Sequence, residues 1–212
     1  MRPSPQLPTT LPPSPLLQIA RFACLRDRRL LFDPLELCVQ AGECVELRGP
    51  NGVGKTTLLR ALAGLFPAEG VILSRAPFAY IGHANGNAGA LTAEENLRWY
   101  LTLMERPATD ASLREALERV GLGAVAPRPC SRLSAGQQRR VALARLLLSA
   151  ADLWLLDEPY TALDVGGVVL LDGLLREHCA RGGAALVVSH NPVQPASRAL
   201  DLHPAPLMRR RA

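Results

Sequence analysis

The stretch Gly49-Pro50-Asn51-Gly52-Val53-Gly54-Lys55-Thr56, continued by Thr57, restricts the possible folds more than any other part of the chain. It has the pattern G-x-x-x-x-G-K-[ST]. LELCVQAGECVELR (35–48) precedes it and reads as two short strands turning at Ala41-Gly42. KTTLLRALAGL follows as a helix closing near Gly64. A glycine-rich loop between a strand and a helix turns backbone N–H groups around phosphate oxygens, and the helix N-terminus adds positive potential. In such a loop Lys55 reaches the β and γ phosphates, and the Thr56 hydroxyl is a ligand for Mg²⁺.

The rest of the chain alternates in the same manner. VILS (71–74) and FAYIG (78–82) read as short strands, LWLLD (153–157) and AALVVS (184–189) as buried ones, with a helix over about 167–179 between the last two. Thr92 with Glu95, and Ser134 with Gln137, have the spacing of capping boxes inside a polar helical block running from Thr92 to Ser149. Buried strands alternating with helices predict a parallel α/β sheet, interrupted by a helical insertion at about 85–150.

Composition narrows the function classes. At 212 residues, 48% hydrophobic and 20% charged, the chain holds one sizeable domain, expected over 16–212, behind a proline-rich, disordered arm over 1–15. Six prolines in that arm and the lack of an apolar centre argue against a secretory signal. The net charge is +5, yet the arginines are scattered and aromatics make up 4%, so no base-stacking platform is expected and no nucleic-acid partner. Lys55 is the only lysine. Five cysteines without Cys-x-x-Cys spacing fit a reducing compartment, and His178 beside Cys179 reads as helix surface and not as a metal site. No run reaches the ~20 apolar residues of a membrane span; the candidate from Val141 onward is broken by Arg145, Asp152 and Asp157.

Two further segments carry chemistry. LWLLD-Glu158 is a buried strand ending in paired carboxylates, which brings Asp157 to a metal and leaves Glu158 to polarise a water as general base. Leu133-Ser134-Ala135-Gly136-Gln137 opens a helix with Ser134 as N-cap, making a second anion site 79 residues beyond Lys55.

The phosphate loop, LSxGQ, the apolar run ending in Asp-Glu, and His190 after a strand together resemble, in that order, an ATP-binding-cassette nucleotide-binding domain over about residues 16–192. The resemblance implies a P-loop NTPase fold with a RecA-like parallel core, a small antiparallel β subdomain and a helical subdomain. It also implies ATP hydrolysis in a head-to-tail homodimer. Ser134, Gly136 and Gln137 of one copy would then close over ATP held by residues 49–57 of the other, with His190 at the γ-phosphate and Asp164 of TALD in a dimer-coupling loop. Two departures stand out. His83 occupies the place where that family has a coupling glutamine, and the region expected to supply an adenine-stacking aromatic reads Cys24-Leu25-Arg26-Asp27-Arg28. CLRDRRLLF, YIGHANG, LSAGQQRRVALARL and LWLLDEPYTALDVGGV look like the ATP-binding subunits of cytochrome c maturation systems. That implies integral-membrane partner subunits, a peripheral place on the cytoplasmic face of the inner membrane, and ATP hydrolysis coupled to haem handling. The alternative these motifs allow is another small-substrate transporter. Soluble cassettes acting on nucleic acid or ribosomes need two cassettes or a long coiled-coil arm, which 212 residues do not hold.

Overall fold

The computed structural model describes residues 14–27 and 29–205. The arm expected over 1–15 lies, apart from its last two residues, outside them, as does Arg28. Strand β1 (Leu17–Ala23) is followed by a two-residue hairpin, β2 (Leu25–Arg26) and β3 (Arg29–Leu30), then β4 (Leu35–Val39) and β5 (Cys44–Arg48). Helix α1 (Lys55–Leu62) leads to β6 (Glu69–Arg75) and β7 (Phe78–Ile81). Three helices follow, α2 (Ala93–Leu103), α3 (Asp110–Arg119) and α4 (Ala135–Ser149). The chain then forms β8 (Leu153–Asp157), α5 (Val165–Ala180), β9 (Ala184–Val188) and β10 (Arg198–Asp201).

Five strands make one parallel sheet in the order β10-β5-β9-β8-β7, and β4-β1-β6 form a separate antiparallel sheet. Strands β8 and β9 are buried along their whole length, which is why they read as unbroken apolar runs. Their side chains alternate between two cores. Leu153, Leu155, Ala184, Leu186 and Val188 face the side that holds α1 and the antiparallel sheet. Trp154, Leu156, Ala185 and Val187 face the side that holds α5 and the three-helix block. The block is inserted between β7 and β8, which are neighbours in the sheet, so α2, α3 and α4 hang from one crossover.

Local chemistry places the helices. Thr92, Thr109 and Ser134 each close a capping box, which ends the preceding loop at a defined residue. Gly54 caps α1 with φ 110°, a conformation that favours glycine, and Gly64 follows the helix at φ 75°.

The structure corrects the surface reading of His178. Its ring is buried (8% exposed), stacked on the Trp154 indole with centroids 3.8 Å apart, and Nε2 lies 3.2 Å from the carbonyls of both Asp152 and Ala184. The residue locks α5 against the sheet. No cluster of metal-ligating side chains occurs among the described residues.

Candidate functional site

The carboxyl ends of β5, β8 and β9 meet the N-terminus of α1 at the carboxyl end of the parallel sheet, where ligands of such sheets bind. A cleft of about 400 Å³ opens there, lined by Asn51, Gly52, Gly54, Lys55, Thr56, Thr57, His83, Glu158 and His190. Gly49 lies on an adjoining hollow with Lys55 and His190. Val53 turns its side chain into the core, so only its backbone is available to a ligand. The Lys55 ammonium donates to the carbonyls of Gly49 (2.7 Å) and Pro50 (3.2 Å), which fold it back over the loop. The first N–H groups of α1 have no acceptor within the helix, so donors and charge converge on one spot suited to phosphate.

Thr56, which borders this cleft and a neighbouring one, donates from Oγ1 to Asp157 Oδ1 at 2.9 Å. Asp157 is 1% exposed, and its Oδ2 has no hydrogen-bond partner among the described residues. Burial raises the Asp157 pKa above the ordinary carboxylate value, and the Thr56 hydrogen bond and the charge of His83 pull it back. A buried, half-satisfied carboxylate beside a hydroxyl is an oxygen donor set that fits a hard divalent cation.

Glu158 stands at the mouth of the cleft. The His190 N–H donates to its Oε2 (3.2 Å), and His190 Nε2 lies 3.4 Å from Oε1. Glu158 has φ 51°, an uncommon left-handed backbone for a non-glycine residue, while its own N–H donates to the Val188 carbonyl (2.9 Å). With this backbone the carboxylate lines the cleft while Asp157 one residue earlier stays buried. His83 is exposed and borders both this cleft and a second one that holds Asp157, Asn85 and Arg145.

Ser134, Gly136 and Gln137 do not reach this cleft. With Asp164 they line a separate hollow of about 480 Å³. Ser134 Oγ accepts from the Gln137 N–H (3.2 Å), and Gln137 Oε1 accepts from the Ser134 N–H (3.0 Å). Asp164 caps α5 through the Gly167 N–H (2.8 Å) and pairs with Arg140 (2.6 Å). The Gly167 hydrogen bond, and then Arg140, hold its carboxyl below the ordinary range. The motifs therefore form two sites in one chain, one around Lys55 and one around Ser134.

Sequence reasoning missed Leu31, Thr161 and Val188 as cleft-lining residues, and it had no reason to single out Asn85. Arg26, from the region without an aromatic, does line the cleft.

The ABC transporter family model matches residues 32–161. The chain belongs to the ABC transporter ATP-binding family. A cytochrome c biogenesis ATP-binding export protein CcmA from Pseudomonas fluorescens is 49% identical over 191 residues, covering 84% of this chain and 90% of that one. The protein of that name from Saccharophagus degradans is 47% identical over 203 residues, covering 86% and 91%. Among solved structures, an ABC transporter ATP-binding protein from Pyrococcus furiosus superposes with TM-score 0.79 at 23% identity, over 88% of this chain and 97% of that one. That likeness bears on the fold alone. As a member of this family the chain binds nucleotide, hydrolyses ATP and works through membrane partner subunits. No helix among the described residues is long and apolar enough to cross a membrane.

Proposed function

We propose that this chain is the ATP-driven motor subunit of a cytochrome c maturation complex, coupling ATP hydrolysis to haem transfer or to release of a haem-loaded chaperone. The observation that supports it best is the Glu158–His190 pair at the mouth of the cleft that Lys55 and Thr56 line, in a chain 43–49% identical to proteins named for cytochrome c biogenesis. In this reading residues 49–57 wrap the phosphates and Lys55 swings from the Gly49 carbonyl to the β and γ oxygens. Thr56 and Asp157 would hold Mg²⁺, which when bound neutralises charge on the phosphate oxygens. Glu158 takes a proton from the attacking water, and His190 orients the Glu158 carboxylate and contacts the γ-phosphate.

Ser134, Gly136 and Gln137 act on the ATP of a second copy, since within one chain they border a different hollow. Asp164 beside them links the two copies, and His83, bordering both clefts, reports the nucleotide state to the membrane subunits. The chain sits peripherally on the cytoplasmic face of the inner membrane.

The test is a Glu158→Gln strain, because the amide keeps the shape of the side chain but cannot accept the proton. Covalent haem staining of denaturing gels is expected to show loss of c-type cytochromes with b-type haem proteins intact. Unchanged c-type cytochromes would exclude the assignment.

A further inference from the structure

Arg139 is the largest fully buried side chain among the described residues, 1% exposed, and no carboxylate among them pairs with it. A guanidinium has five N–H donors in a rigid fork. All five are used. Nε donates to the Pro159 carbonyl (3.1 Å), and one terminal nitrogen donates to the carbonyls of Asp157 (3.0 Å) and Glu158 (2.6 Å). The other terminal nitrogen donates to the Gly82 carbonyl (2.9 Å) and Asn85 Oδ1 (3.0 Å). One edge of the fork thus grips three consecutive peptides around Glu158, and the other grips the loop on either side of His83.

We infer that Arg139 is a positioning residue for hydrolysis: it sets the Glu158 carboxylate and the His83 loop as one unit, from the helix that Ser134 begins. The inference rests on Glu158 being the base. Glu158 has a left-handed backbone (φ 51°), a costly conformation that persists only where its surroundings enforce it. Its N–H is anchored to Val188 at the end of β9, and its carbonyl accepts both from Arg139 and from the Thr161 N–H (3.1 Å) of the following turn. Without Arg139 only the turn bond from Thr161 holds that carbonyl, and the three consecutive peptides lose their common anchor, which lets the carboxylate shift off the attacking water. On the other side, Arg145, six residues further along α4, donates to the carbonyls of Asn85 (2.9 Å) and Gly86 (3.0 Å) and to Asn87 Oδ1. Helix α4 therefore runs from Ser134 at one site to the loop bordering the other. A displacement of its N-terminus by a second copy moves Arg139, and with it Glu158 and His83 together.

The test uses Arg139→Lys in the full chain assembled with its membrane subunits. Lysine keeps the charge but offers three donors from a single point, which cannot span both edges. The expected result is a folded protein whose kcat falls about tenfold or more, since small misplacements of a reacting group have effects up to ~100-fold, while nucleotide affinity is unchanged. In the Glu158→Gln background the same substitution should leave the residual rate unaltered, because the group it positions is already disabled. Wild-type kcat, a parallel loss of affinity and kcat, or an equal further loss in the Glu158→Gln background would each overturn the role. A Glu158→Gln protein hydrolysing normally removes the base assignment itself. An inactive one beside an unaffected Arg139→Lys removes only the positioning. If Arg139→Lys does not fold, Asn85→Ala carries the test: it removes one acceptor and should lower kcat severalfold, and an unchanged kcat there overturns the inference.

Discussion

Gly136 shows how one residue serves two demands. A Cβ built at Gly136 would lie 2.7 Å from the carbonyl oxygen of Ala162, closer than real contacts allow. That oxygen is backbone, in the turn between Glu158 and α5, and Ala162 itself has φ 65°. The glycine is therefore required for packing within one chain, before any nucleotide is considered. Gly136→Ala is expected to destabilise the chain by about 1–3 kcal/mol, the usual cost of overpacking, and to lower the thermal midpoint in the absence of nucleotide. A melting curve superimposable on wild type would mean that the turn yields without cost.

At the scale of elements, His178 ties α5 to β8 and to the start of β9, and this joint is sensitive to pH. Burial lowers the His178 pKa below the ordinary value of 6.5, with hydrogen bonds to the Ala184 and Asp152 carbonyls and the charge of Asp152 opposing the fall, and nearby Arg181 adding to it. The neutral ring is the folded form, and the unfolded chain binds the proton more readily. Its contribution to stability is complete above pH 6.5 and is lost as the pH falls from there through the lower folded value. Denaturant titrations at pH 7.5 and 5.5 are expected to show a larger acid loss for wild type than for His178→Gln. Equal losses would place the acid sensitivity elsewhere. The same element explains the unpredicted neighbour relation, because the Trp154 ring lies flat (7°) against the imidazole and fills the face of the sheet that α5 covers.

For the whole molecule, the separation of the Lys55 cleft from the Ser134 hollow decides the experiment. Lys55→Ala and Ser134→Arg proteins should each be inactive alone, the second also losing its helix cap. In a two-fold dimer of one with the other, one site carries both substitutions and the other carries neither. Equal mixing is then expected to restore up to about a quarter of the intact sites, and ATP turnover to rise with the fraction of mixed dimers. Turnover that stays at the level of the single variants, while mixed dimers are present by mass spectrometry, would count against a shared site.

The phosphate loop, the strand ending in Asp157-Glu158 and the capping boxes at Thr92 and Ser134 were legible in the sequence because each is a short-range pattern. Glycine conformation, an N-cap three residues from its partner and an unbroken apolar strand depend on neighbours along the chain. Strand β1 was not legible in this way: its register shifts between Ile19 and Phe22, with Arg21 at φ 50°, which breaks the period-two pattern. Strand β10 is a half-exposed edge recognisable only through its pairing with β5. Nor could spacing alone distinguish a buried His178 from a surface one, or pick Arg139 out of 23 arginines. The sequence by itself determined the chemistry available at each motif. Tertiary structure alone decided which motifs share a cleft and which groups lose water, because desolvation and hydrogen-bond geometry depend on residues brought together from distant parts of the chain.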